Sequence, residues 1–278
     1  MGNNSWVVEN LNNALATWNG KLQEIWQLLL TSPEAFRGGS IWGIIVNIHD
    51  ALKATGFALL VLFFVMGVVK TTTNFSELKR PEHAVRLFLR FAIAKAVVTY
   101  GMDLMLAVFR IAQGVVSSIA GSLGSASGML AALPAEVEAA IAQASFWESI
   151  PLWIVTLLGS LLITILSFII IMTMYGRYFS LYMYAAIAPI PLADFAGEST
   201  AQIGVQFLKS YAGVCLQGAI IVLACVIFTA FAAAPPAVTG SGVVQMVWNY
   251  IAELVFNLLV LVGAVKLSER LCKEMMGL

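Results

Sequence analysis

From Pro151 to Gly176 the chain reads PLWIVTLLGSLLITILSFIIIMTMYG, without one Asp, Glu, Lys, Arg or His. A run of this kind supplies the 20 or so apolar residues that about 30 Å of hydrocarbon requires. Lipid offers no hydrogen bonds to a backbone, so such a run has to be helical, and the chain around it is expected to be an all-α membrane protein. Composition agrees: 60% of the 278 residues are hydrophobic and 11% are charged, against about 25% charged in an ordinary soluble domain. Fifteen Lys+Arg balance fifteen Asp+Glu, so no basic surplus exists to hold a polynucleotide, which could only pass the protein in transit.

Four further spans are expected. The segment from Ile41 to Val69 is helix-compatible, but His49, Asp50 and Lys53 confine its lipid-buried part to about Ala54 to Val69. A second long helix should start near Pro81, a favourable first-turn residue, with its span from Ala84 to Arg110. Tyr211 to Ala233 and Val243 to Val265 supply the others. Ahead of them, Leu11, Leu15, Trp18, Leu22, Ile25 and Leu29 recur at steps of four and three, the period of one helix face. Residues 1–40 are thus expected to hold an external amphipathic helix. It would lie among headgroups or against its own bundle with Trp6, Trp18 and Trp26 as anchors, or it would dock another subunit. The start MGNNSWVVENLNN has neither the basic opening nor the apolar core of a signal peptide.

Loop charges set the orientation. Lys70, Lys79, Arg80, Arg86, Arg90 and Lys95 cluster in one stretch, whereas Ile111 to Gly176 has no Lys or Arg. Positive loops stay cytoplasmic, so residues 41–110 form two long helices around a basic inner loop at 70–90, and 111–150 form an external loop rich in Gly, Ala and Ser. Lys266, Arg270 and Lys273 place the carboxy terminus inside too. An even number of crossings must then follow Arg177, and the segment 177–210, broken by Pro189 and Pro191, becomes a re-entrant or cytoplasmic-side elbow within 151–278. The expected arrangement has about five spans, with the amino terminus outside. A six-span alternative would place the three carboxy-terminal cations outside.

Ionisable side chains at membrane depth mark interiors, wet cavities or partners. On a helical wheel Lys95, Thr99, Asp103 and Arg110 fall within about 80° of one another. Gln245, Asn249, Glu253 and Asn257 step by four and form a second stripe. The stripes could pair with each other and hold the bundle together, or line a cavity shared by several copies. Candidate contacts at the cytoplasmic face are Lys79, Arg80, Arg177, Asp194, Glu198 and Lys209, and Tyr175, Tyr178, Tyr182 and Tyr184 crowd around Arg177 as an aromatic belt.

Enzymatic signatures are lacking. Gly124-Ser125-Ala126-Ser127-Gly128 has Ala126 where a nucleophile elbow needs Ser. Cys215, Cys225, Cys272, His49 and His83 lack metal-ligand spacing. No cofactor or metal is expected, and the chain is read as a non-enzyme.

The string YGRYFSLYMYAAIAPIPLADF, followed after a polar gap by GVQFLKSYAGVCLQGAIIVL, resembles the core of the TrbL family, polytopic membrane subunits of conjugative type IV secretion systems. The residues that carry the resemblance are Arg177, the Ala188-Pro189-Ile190-Pro191 break, Phe207-Leu208-Lys209 and Gln217-Gly218. It covers roughly the last two thirds of the chain. It implies a subunit of a ring-like homo-oligomer in the cytoplasmic membrane, between cytoplasmic ATPases and the outer parts of the machine. Such a subunit would be an assembly platform or part of the route taken by DNA and protein. A small-solute transporter or channel, or a holin-like pore former, is the alternative; one visible helix break and no internal repeat stand against a transporter.

Overall fold

The computed structural model describes residues 5–72, 81–122, 131–197, 201–231 and 242–278, all in helices, turns and connections. The helices are α1 (Ser5–Leu30), α2 (Ser40–Thr72), α3 (Pro81–Thr99), α4 (Gly101–Ser122), α5 (Ala135–Gln143), α6 (Phe146–Ile187), α7 (Pro189–Leu192), α8 (Ala201–Phe231) and α9 (Val243–Met275). The protein is all-α. Five stretches among the described residues are long and apolar enough to cross a membrane: Phe36–Val69, Gly101–Gly121, Trp147–Ile187, Ala201–Phe231 and Val243–Met275.

Two of these bounds differ from the sequence expectation for physical reasons. The second span moves from Ala84–Arg110 to Gly101–Gly121, because the helix is interrupted at Tyr100 and the cations Arg86, Arg90 and Lys95 all fall in α3. The interruption meets a close approach: a Cβ on Gly101 would lie 3.2 Å from Leu192 and 3.3 Å from the His49 ring. The third helix does not stop at Arg177. It continues to Ile187, 42 residues in all, and begins with a capping arrangement in which Glu148 accepts from the backbone N–H of Ser145 at 2.8 Å. The break inside 177–210 is therefore short. Pro189 and Pro191 occupy α7, a 3₁₀ turn follows at Ala193–Ala196, and helix resumes at Ala201.

The chain divides into two compact units. The first comprises Met1–Leu30, Val116–Gly176 and Ala219–Ser268. Here the apolar face of α1 is covered by the protein itself, with Leu11, Leu15, Trp18, Leu22, Ile25 and Leu29 at 2% exposure or less. Its polar side also has partners. Asn19 donates to the Ala131 carbonyl at 2.8 Å and accepts from the Ala131 N–H at 2.9 Å. Asn12 reaches Glu138 at 3.4 Å, and Tyr175 donates to Glu24 at 2.8 Å. Tyr250 of α9 donates to Ala132, so α1 and α9 both hold the segment that leads into α5.

The second unit comprises Thr31–Val115, Arg177–Gly218 and Glu269–Leu278. Its core joins Leu60, Val98, Met105, Phe109, Leu181, Leu192, Tyr211 and Cys215. The Pro break packs into α2 at Gly56, where a Cβ would stand 2.7 Å from the Pro189 carbonyl oxygen. Only a residue without a side chain lets the two backbones approach so closely.

Candidate functional site

The first polar stripe lies in the second unit, on α3 and α4. Their inner side is apolar, with Ala94, Val98, Met105, Phe109 and Ala112 buried. Lys95, Thr99, Asp103 and Arg110 all point the other way and are exposed. Thr99 satisfies its hydroxyl by donating to the Lys95 carbonyl at 2.7 Å. Arg110 lies 3.6 Å from Glu34 and does not pair with Asp103, two turns before it on the same side.

The second stripe lies in the first unit, on α9. Val247, Tyr250, Ile251, Leu254 and Leu258 form its buried side. Gln245 and Glu253 are exposed, and Asn249 and Asn257 half-buried. Among the described residues, each stripe keeps exposed side chains on the side of its helices away from the apolar core of its own unit. A Lys, Arg or Asp at the centre of a lipid-facing helix costs about 2.5–3.5 kcal/mol on insertion scales. Asp103 and Arg110 on α4 and Glu253 on α9 put ionisable groups on the outer side of two membrane-length helices.

Arg177 is a different kind of site. It was expected at the cytoplasmic surface, but α6 continues past it, and its side chain is 4% exposed. The guanidinium donates from Nε to the Val214 carbonyl at 3.2 Å and from Nη2 to the Cys215 carbonyl at 3.1 Å, and it stands 6.0 Å from the centre of the Phe109 ring. Nη1 has no hydrogen-bond partner among the described residues. Space for the group comes from Gly218, whose Cβ, if present, would lie 2.7 Å from Nη2. The Arg177 and Gln217-Gly218 signals are therefore two halves of one contact. A buried cation on neutral carbonyls is costly, and its two hydrogen bonds link α6 to α8.

A scan of known families then identifies residues 18–189 as matching the TrbL/VirB6 plasmid conjugal transfer-like proteins. The chain belongs to this family. No curated protein and no solved structure matches it. The match to the TrbL/VirB6 family includes Arg177 and ends at Pro189, the first proline of the break. Phe207-Leu208-Lys209 and Gln217-Gly218 lie beyond it, so its extent differs from the last two thirds that the sequence resemblance covers. The chain is thus a multi-pass membrane protein of a conjugal transfer family, which implies work beside other subunits of such a system.

The remaining candidates divide by placement. Lys79, Arg80 and Glu198 lie outside the described residues. Lys209 is exposed on α8. Asp194, expected as a surface contact, is instead 6% exposed, and burial pushes its carboxyl pKa up. The aromatic group is more than a belt: Tyr178 and Tyr182 are buried and donate to the carbonyls of Thr31 at 2.7 Å and Pro33 at 3.0 Å. Phe36 stacks on Tyr178 with centroids 4.3 Å apart.

Sequence reasoning missed His49. In sequence it is a polar residue that shortens the first span, yet it is fully buried with Nδ1 at 2.7 Å from the Ala185 carbonyl. The only signal was its place on an otherwise apolar helix, and no periodicity pairs it with Gly101 or Ala185.

Proposed function

We propose that this TrbL/VirB6 family chain is an oligomeric subunit in the cytoplasmic membrane of a conjugative type IV secretion machine. Copies associate in a ring through, or around, the two outward polar faces, and the ring acts as assembly platform or as part of the DNA and protein route. One observation carries the reading: Asp103, Arg110, Gln245 and Glu253 are exposed on the outer sides of membrane-length helices, and Lys95 and Thr99 continue the first stripe, also exposed, on α3. Lipid is a poor neighbour for such groups, while a second copy or a water-filled lumen is a good one. A solute transporter would instead gather its ionisable groups inside one chain.

The amino terminus and the loop 111–150 are proposed to lie outside and to meet outer components, and the carboxy terminus inside. The Asn12 to Glu138 bond supports a common side for the first two. Lys79, Arg80, Glu198 and Lys209 are proposed to meet the cytoplasmic ATPases or neighbouring copies.

The test is conjugative transfer from donors carrying an in-frame deletion, complemented with wild type, Asp103→Leu or Glu253→Leu. Transfer should be lost on deletion, restored by the wild type, and poorly restored by either variant although both accumulate and run as folded protein in detergent. Unchanged transfer after deletion would move solute transport to the front. Variants that aggregate would assign the stripes to holding the chain itself together.

A further inference from the structure

Along the first unit, α6 and α9 enclose an open groove of about 460 Å³ lined by Ile165, Phe168, Ile169, Met172, Thr173 and Lys266. Its wall is apolar over the two helical turns from Ile165 to Met172, and its polar groups, Thr173 and Lys266, gather at one end. Phe168 and Met172 are 54% and 66% exposed, so none of the described residues covers the wall there.

The cation at the end of the groove is distinct from its neighbours on α9. Arg270 is held by Glu274 and Lys273 by Glu269, each at 2.7 Å. Lys266 is exposed and has no acidic partner among the described residues. Thr173 donates its hydroxyl proton to the Ile169 carbonyl at 3.0 Å, which leaves the oxygen lone pairs as acceptors. An apolar trough ending in one uncompensated ammonium and one hydroxyl acceptor is complementary to an acyl chain attached to an anionic, hydroxyl-bearing headgroup.

We propose that this groove is a binding site for an anionic phospholipid, with an acyl chain along Ile165 to Met172, the phosphate at Lys266 Nζ, and a headgroup hydroxyl donating to Thr173. The charge complementarity of Lys266 selects lipid over an apolar partner helix, which would bury that ammonium without a counter-charge.

The purified full-length protein, titrated in detergent with palmitoyl-oleoyl phosphatidylglycerol or phosphatidylcholine and followed by native mass spectrometry, tests this. Wild type should take up the first phosphatidylglycerol about fivefold more readily than phosphatidylcholine, the ratio expected of one lysine near a headgroup. Lys266→Gln should bring that ratio to about one, while Arg270→Gln, whose cation is already neutralised, should leave it unchanged. Ile169→Trp, which fills the trough, should reduce uptake of both lipids. Equal uptake of the two lipids by wild type would overturn the proposal, as would a preference that survives Lys266→Gln or disappears with Arg270→Gln. The exposed position of Lys266 keeps its variant folded, and gel filtration checks that the comparison is between folded proteins.

Discussion

Replacing Gly56 with Ala should destabilise the protein, although the same change elsewhere on α2 should not. The Cβ would stand 2.7 Å from the Pro189 carbonyl oxygen and 3.1 Å from its carbon and Cβ. Ordinary contact begins near 3.4 Å, so α2 and the break would have to part by about 0.7 Å. The obstacle is backbone, which cannot rotate away as a side-chain end could. Overpacking of a closed contact costs about 1–3 kcal/mol, and Ala returns about 1 kcal/mol over Gly in a helix. Gly43 provides the control on the same helix, since nothing lies within 4 Å of its Cβ position. The propensity gain is common to both variants and cancels between them, which leaves the contact term of about 1–3 kcal/mol as their difference. With about 2–4 °C per kcal/mol for a chain near this size, Gly56→Ala should melt about 2–12 °C below Gly43→Ala in the same detergent. If Gly56→Ala melts at or above Gly43→Ala, the close packing of α2 on the proline break is refuted.

Two further outcomes follow from buried charge. Gly218→Ala should cost stability in wild type, by about 1–3 kcal/mol, because the Arg177 guanidinium must leave its place and the carbonyls of Val214 and Cys215; in an Arg177→Met background the same change should stabilise by about 1 kcal/mol. A double-mutant cycle of thermal melts reads the coupling, and additive effects would contradict the contact. Asp194 has its pKa raised by burial, so the folded state holds that proton more tightly than the unfolded one; its contribution is present below the unfolded pKa and is lost as pH rises through the folded pKa. Asp194→Asn should therefore gain stability over wild type as pH rises above the ordinary carboxylate pKa, and parallel melting profiles of the two proteins would contradict it.

The all-α membrane class was legible because apolar runs of span length leave no other solution in lipid. The face of α1 was legible because its residues repeat at the helical period, but what covers that face was not, since hydrophobicity alone does not name its partner. Pro189 and Pro191 announced a break through their missing N–H groups. Its true extent was hidden, because Arg177 reads in sequence as the end of a span when it is a cation buried inside the fold. The glycines that decide the packing, Gly56, Gly101 and Gly218, look in sequence like any others; their role is a distance to a residue far along the chain. The two polar stripes were visible as periodicity, whereas their outward direction depends on which side of α3, α4 and α9 the apolar core claims.

That outward direction is tested most directly with single cysteines. In a chain with Cys215, Cys225 and Cys272 replaced by Ala, cysteine is placed at Asp103, at Glu253, or at Leu161, which is 54% exposed and apolar within the Trp147–Ile187 span. Cells carrying the complete transfer machine are then treated with a water-soluble maleimide and, separately, with an oxidant that joins neighbouring copies. The expected result is that Asp103→Cys and Glu253→Cys are labelled or joined to a second copy, while Leu161→Cys is inert to the water-soluble reagent. If the two stripe positions are as inert as Leu161 in both treatments, they face lipid, and the assembly of copies around these polar faces is contradicted.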